Sequence, residues 1–135
     1  MKFLILPVAA LALSALPALA GDAAKGEAEF KKCKACHAAI APDGTAVQKG
    51  GKTGPNLWGV IGRPVASVPD FAYGESLLAV GASGAVWDEA SLTAYVADPA
   101  KWLKETLGDS SAKSKMSFKL AKGGADVAAY LATLK

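Results

Sequence analysis

Histidine is nearly missing from this 135-residue chain: His37 is the only one, and Cys33 and Cys36 are the only cysteines. A closed structural zinc site wants four nitrogen or sulfur ligands, so these three could complete one only with a carboxylate or a water. Methionine is equally scarce, being limited to Met1 and Met116. An excess of one charge is missing as well, with 15 Lys and Arg against 12 Asp and Glu. That small difference, with no recognition motif, argues against nucleic acid as a partner. No apolar–polar alternation lasts long enough for a sheet, and no internal repeat or low-complexity block interrupts the chain.

What the chain does contain is concentrated in Cys33-Lys34-Ala35-Cys36-His37. The spacing C-x-x-C-H is the attachment signature of a c-type haem. Two thiols one turn apart can add to the two vinyl groups along a single porphyrin edge, and the adjacent imidazole can then reach iron from one face. A structural disulfide, a thioredoxin-like redox pair and part of a zinc site are the bland alternatives. The redox pair would follow a strand in a βαβ setting, and nothing upstream reads as such a strand. Haem attachment is the favoured reading.

The first twenty residues are set aside from the fold. Lys2 gives a short positive region, Phe3–Leu16 is almost wholly apolar, and Ala18-Leu19-Ala20 forms an A-x-A cleavage site ahead of Gly21. The stretch approaches membrane-spanning length, but Pro7, Pro17 and the small-residue site favour a cleaved secretory signal peptide, residues 1–20. The 52% apolar content is inflated by this leader. Residues 21–135 are then expected to form one domain without stable membrane insertion, burying roughly two-thirds of its unfolded surface. Export into an oxidising periplasm suits a thiol pair that haem attachment would consume.

The helical signals are short. Asp22 reads as an N-cap for a helix over Ala23–Lys34, with Gly26, Phe30 and Cys33 on one stripe. Residues 38–58 read as a long loop rich in Gly, Pro, Asp, Thr and Lys. Loops of that length usually serve a ligand, and wrapping a haem edge would be such a service. A brief helix is expected near Glu75–Val80, another over Asp88–Ala97, and a third beginning at Asp98-Pro99 and stopping near Gly108. Asp109–Ala121 reads as polar loop, and Gly124–Leu134 as a final helix carrying Val127, Tyr130, Leu131 and Leu134. The expected fold is all-α, about five short helices and long loops around one cofactor.

A haem iron held by His37 leaves its opposite face open to a second ligand. Met116, a lysine amine, a tyrosine phenolate, or water are the candidates, since no second histidine exists. Met116 lies in the polar loop Ser114-Lys115-Met116-Ser117-Phe118, where no core helix asks for a methionine, and so is favoured. Ligation on both faces suits reversible electron transfer. A vacant face would instead suggest a small haem peroxidase or a gas-binding sensor.

The region after the leader resembles the class I cytochromes c along its whole length. Gly26 and Phe30 precede the attachment motif as in that family, and Lys52-Thr53-Gly54-Pro55-Asn56-Leu57 is similar to its proline loop. The resemblance implies that the Pro55 carbonyl orients His37, that Met116 is the second axial ligand, and that Tyr95 lies near it. It implies that Gly62-Arg63, Phe71-Ala72-Tyr73 and Trp87 approach the haem propionates, and that Phe118 belongs to the ligand loop. Arg63, Tyr73, Trp87, Tyr95 and Phe118 are thus expected haem-pocket residues, and Gly26 with Tyr130 is expected at a helix crossing. Residues 38–51 and 106–113 are longer than in the mitochondrial members.

Basic residues gather near these motifs: Lys31, Lys32, Lys34 and Lys52 on one side, Lys113, Lys115, Lys119 and Lys122 around Met116. They read as a ring for docking acidic redox partners, against the alternative of an ordinary solvated mixture. The resemblance implies a monomeric periplasmic electron carrier rather than an enzyme. Its donor would be a membrane cytochrome bc complex, and its acceptor a photosynthetic reaction centre or terminal oxidase.

Overall fold

The computed structural model describes residues 21–135; the expected signal peptide, 1–20, lies outside the described residues. Five α-helices carry the fold: α1 Ala23–Glu29, α2 Glu75–Ala82, α3 Glu89–Ala97, α4 Pro99–Leu107 and α5 Gly124–Ala132. Two small strands, β1 Ala39–Ile40 and β2 Ala46–Gln48, complete it. Among the described residues no helix is long and apolar enough to cross a membrane.

Polar caps fix where α1, α3 and α4 begin. The Asp22 carboxylate accepts from the amides of Ala24 and Lys25, opening α1. Asp88 and Ser91 exchange hydrogen bonds in a capping box before α3. The corner between α3 and α4 is a single residue: Asp98 ends one helix, its carboxylate accepts from Lys101 N at 3.1 Å, and Pro99 starts the next. Gly108, in the left-handed conformation at φ 61°, closes α4.

The core forms where α1 and α3 cross α5. Gly26 is required at the first crossing, because a Cβ there would run into the Asp126 carbonyl and press within 2.8 Å of Tyr130 Cβ. Phe30 and Tyr130 then meet edge to face, with ring centroids 5.9 Å apart. Phe30, Leu92, Leu103, Val127, Ala128 and Leu131 are all buried around this junction. Just beyond α5, the buried Leu134 accepts from Gly59 N at 2.7 Å, tying the end of the chain to the proline loop.

Two expectations need correction. The first helix does not continue to Lys34: it ends at Glu29 and tightens into a 3₁₀ turn over Phe30–Lys32. This tightening leads straight into the cysteine turn, since Cys33 N donates to Phe30 O at 2.8 Å. The expected loop over residues 38–58 contains an antiparallel hairpin, β1 with β2. Strands of two and three residues are too short for alternation to register. The hairpin is fixed instead by a turn, with Gly44 at φ 88° and the Asp43 carboxylate accepting from Thr45 N. Its last residue, Gln48, is buried and donates to the Tyr130 hydroxyl at 2.8 Å. The remaining helices match their expected places within two residues at either end.

Candidate functional site

The attachment motif is a closed turn. Cys36 N and His37 N both reach the Cys33 carbonyl, at 3.2 and 2.9 Å. The backbone therefore turns once between the thiols, leaving Cys33 half-buried, Cys36 exposed and both unpaired. Burial, reinforced by Glu29 and Cys36, pushes the Cys33 thiol up to about 11 against a smaller opposing effect of Lys32. A thiol so protonated at neutral pH is the reverse of the low-pKa nucleophile a redox pair needs.

A glycine-rich loop grips this turn from outside. Gly51 N donates to Lys34 O at 2.9 Å and Gly54 N to Cys36 O at 2.7 Å. A Cβ on Gly50 or Gly51 would strike the carbonyls of His37 or Ala35. A Cβ on Gly54 would enter the His37 ring itself, 2.5 Å from Nδ1 and 2.6 Å from Nε2. The loop brings the Pro55 carbonyl within 2.8 Å of His37 Nδ1. A carbonyl only accepts, so Nδ1 carries the proton and Nε2 keeps its lone pair. Burial also lowers the His37 pKa, outweighing the Pro55 contact, which favours the neutral ring a metal requires.

Asn56 fixes the next step of the loop. Its side chain accepts from Ile40 N at 2.9 Å and Trp58 N at 3.0 Å, and donates to Ile40 O at 2.8 Å. Arg63 then reaches back, donating to the carbonyls of Asn56 at 3.0 Å and Trp58 at 3.2 Å. Its guanidinium is half-buried, and among the described residues no carboxylate pairs with it. Such a cation suits an anionic group of a ligand. Residues 62–65 run antiparallel to 85–87 through Gly62 N to Trp87 O, Trp87 N to Arg63 O and Val65 N to Ala85 O. Arg63 and Trp87 are thereby joined through their backbones. Tyr73 packs edge-on against Phe71 at 4.7 Å, and its hydroxyl accepts from Val68 N.

Trp87, Tyr95 and Trp102 form one aromatic group, with centroids 5.1 to 5.4 Å apart and the two indoles stacked. The Tyr95 hydroxyl is buried, which raises its pKa, and a hydrogen bond with the Ser114 side chain partly offsets this. Ser114 also grips Met116, accepting from its amide at 3.1 Å and donating to its carbonyl at 2.9 Å. Met116 is half-buried against the core, while Phe118 is exposed. Sequence reasoning gave no site role to Gly54, Asn56, Trp102 or Ser114. The Gly-Pro-Asn run signalled the first two, whereas Trp102 meets Tyr95 across the Asp98–Pro99 corner and had no local signal.

The lysines are less uniform than expected. Lys34 is half-buried, and Lys31, Lys52, Lys113 and Lys122 are exposed. Lys32 pairs with Glu29 at 2.8 Å and Lys119 with Asp98 at 2.9 Å. The Lys115 ammonium donates to Ala72 O at 3.0 Å.

Among the described residues, no three His, Cys, Asp or Glu side chains group to hold a metal ion by themselves. The donor set instead fits a prosthetic group that supplies its own equatorial ligands: two unpaired thiols one turn apart, an imidazole with Nε2 available, an unpaired half-buried cation and an apolar surround.

No protein-family model matches the chain. Individual relatives match closely. Cytochrome c2 of Rhodobacter capsulatus is 61% identical over 127 residues, covering 94% of this chain and 92% of that protein. Cytochrome c-550 of Paracoccus versutus is 61% identical over 129 residues, covering 93% and 83%. The solved structure of Rhodobacter capsulatus cytochrome c2 superposes with a TM-score of 0.83, covering 84% of this chain and 97% of that one. The chain belongs to the class I cytochromes c, is similar to cytochromes c2 and c-550, and carries one covalently attached haem c.

Proposed function

We propose that this haem c electron carrier works in the periplasm, after cleavage of residues 1–20, with Cys33 and Cys36 as thioether anchors and His37 and Met116 as axial ligands. When bound, the haem supplies a reversible one-electron couple, and the chain's own residues prepare its surroundings. The glycine loop holds the imidazole still and Pro55 O fixes its tautomer, so His37 offers Nε2 without reorientation. Ser114 folds the loop around Met116 and so presents its thioether. Ligation by a thioether together with an imidazole would favour the ferrous state and raise the potential. Arg63 is available to neutralise a propionate, and burial of Trp87 and Tyr95 excludes water.

The His37 Nδ1 to Pro55 O contact carries this reading, since it leaves Nε2 unprotonated and available to a metal. A chain with no other histidine lacks an imidazole acid–base group for peroxide, which supports a carrier and not an enzyme. As a monomer, the carrier would take electrons from a membrane cytochrome bc complex and deliver them to a photosynthetic reaction centre or terminal oxidase. The exposed lysines Lys52, Lys113 and Lys122, with Lys34 and the partnered Lys32, Lys115 and Lys119, would guide docking. The test is Met116→Ala: the ferric visible spectrum should change and the reduced protein should bind carbon monoxide rapidly. An unchanged ferric spectrum would refute methionine ligation.

A further inference from the structure

Between Gly108 and Gly123 the chain has no helix or strand, so the position of Met116 depends on individual contacts. On the side preceding Met116, Ser114 bonds Tyr95, and the other contacts outside the loop converge on residues 72–76. Lys113 N donates to the Ser76 hydroxyl at 3.0 Å, across 37 residues of sequence. The Lys115 stem passes over Gly74, where a Cβ would lie 3.3 Å from Lys115 Cγ, before its ammonium reaches Ala72 O. Residues 113–115 thus lie antiparallel along 72–76. On the far side, Leu120 N donates to Val96 O at 2.7 Å. Of the contacts from residues 72–76, Ser76 is the most constrained. It sits in the first turn of α2, half-buried, and meets a backbone amide, whereas Lys115 acts through an exposed, flexible stem.

We propose that Ser76 is a positioning residue for the Met116 loop, and that its tie to Lys113 sets how readily an external ligand displaces Met116. This rests on the axial reading of Met116 above. Displacement requires the loop to open, so apparent affinity for the competitor scales with the open fraction. Removing one solvent-accessible neutral hydrogen bond should raise that fraction about threefold.

The experiment titrates imidazole into the haem-loaded ferric protein and follows the visible spectrum. Ser76→Ala should bind imidazole about threefold more tightly than the natural chain, and Ser76→Thr, which keeps the hydroxyl, should restore the original affinity. Amide exchange at Lys113 should quicken in Ser76→Ala alone. In a Met116→Ala background the Ser76→Ala effect should vanish, because no sulfur remains to displace. Natural affinity in Ser76→Ala, or an equal gain with and without Met116, overturns the tie while leaving the axial reading intact. If Met116→Ala itself binds imidazole no more tightly than the natural chain, the axial reading fails and the tie falls with it.

Discussion

The His37 imidazole donates through Nδ1 to the Pro55 carbonyl at 2.8 Å, while the next residue back, Gly54, presents only hydrogen to the ring face. One loop therefore orients the ring and leaves space for it.

That arrangement makes Gly54 a sensitive position of the loop. Gly54→Ala should lower stability by about 1–3 kcal/mol through overpacking and should also disturb the haem spectrum. The neighbouring exposed Thr53→Ala should do neither. Denaturant midpoints and visible spectra of the two variants provide the check.

The hairpin is held to α5 through Gln48 and Tyr130. Tyr130→Phe strands a buried amide group and should cost about 1–3 kcal/mol. Pairing it with Gln48→Leu removes both polar partners and should recover much of the loss. A double-mutant cycle in urea would measure the coupling.

Asp98 predicts a dependence on pH. The Lys119 ammonium, then the Lys101 amide, hold its carboxyl below the ordinary value of 3.8. A lowered folded-state pKa contributes stability that is present above 3.8 and is lost as pH falls through the folded value. Asp98→Ala should therefore unfold at lower urea than the natural chain at pH 7, and the gap should close in stronger acid. A gap constant down to pH 2 would show that ionisation has no part in it.

The docking face is best probed away from paired cations. Lys34→Glu and Lys52→Glu should slow electron transfer with an acidic redox partner more at low than at high ionic strength, since salt screens attraction. Stopped-flow rates at two salt concentrations decide the point. Lys115→Glu would be a mixed test, because its ammonium also bonds Ala72.

Features set by neighbouring residues were legible in the sequence: the caps at Asp22 and Asp98, the Pro99 start, and the cysteine turn. The Gly26–Tyr130 crossing and the Pro55 contact followed from resemblance to a family rather than from periodicity. What escaped depends on distant partners. The hairpin is stabilised by Asn56 and Tyr130, and neither lies in its strands. The early end of α1 reflects the approach to Cys33, which helix propensity does not encode. Lys32 and Lys119 appear as free cations in sequence, yet meet carboxylates in the fold. Ser76 has no distinguishing local signal and gains its partner 37 residues away.

The unequal holding of the two halves of the site has a consequence for damage. His37 sits in a turn gripped by three glycines, whereas Met116 hangs on sixteen residues between Gly108 and Gly123 without regular structure. On the proposed His37 and Met116 ligation, heat or mild denaturant should release the sulfur half first. A worn molecule would then keep its colour and its anchored pigment while gaining an appetite for small oxidants, so absorbance alone would overstate how much of a preparation still works.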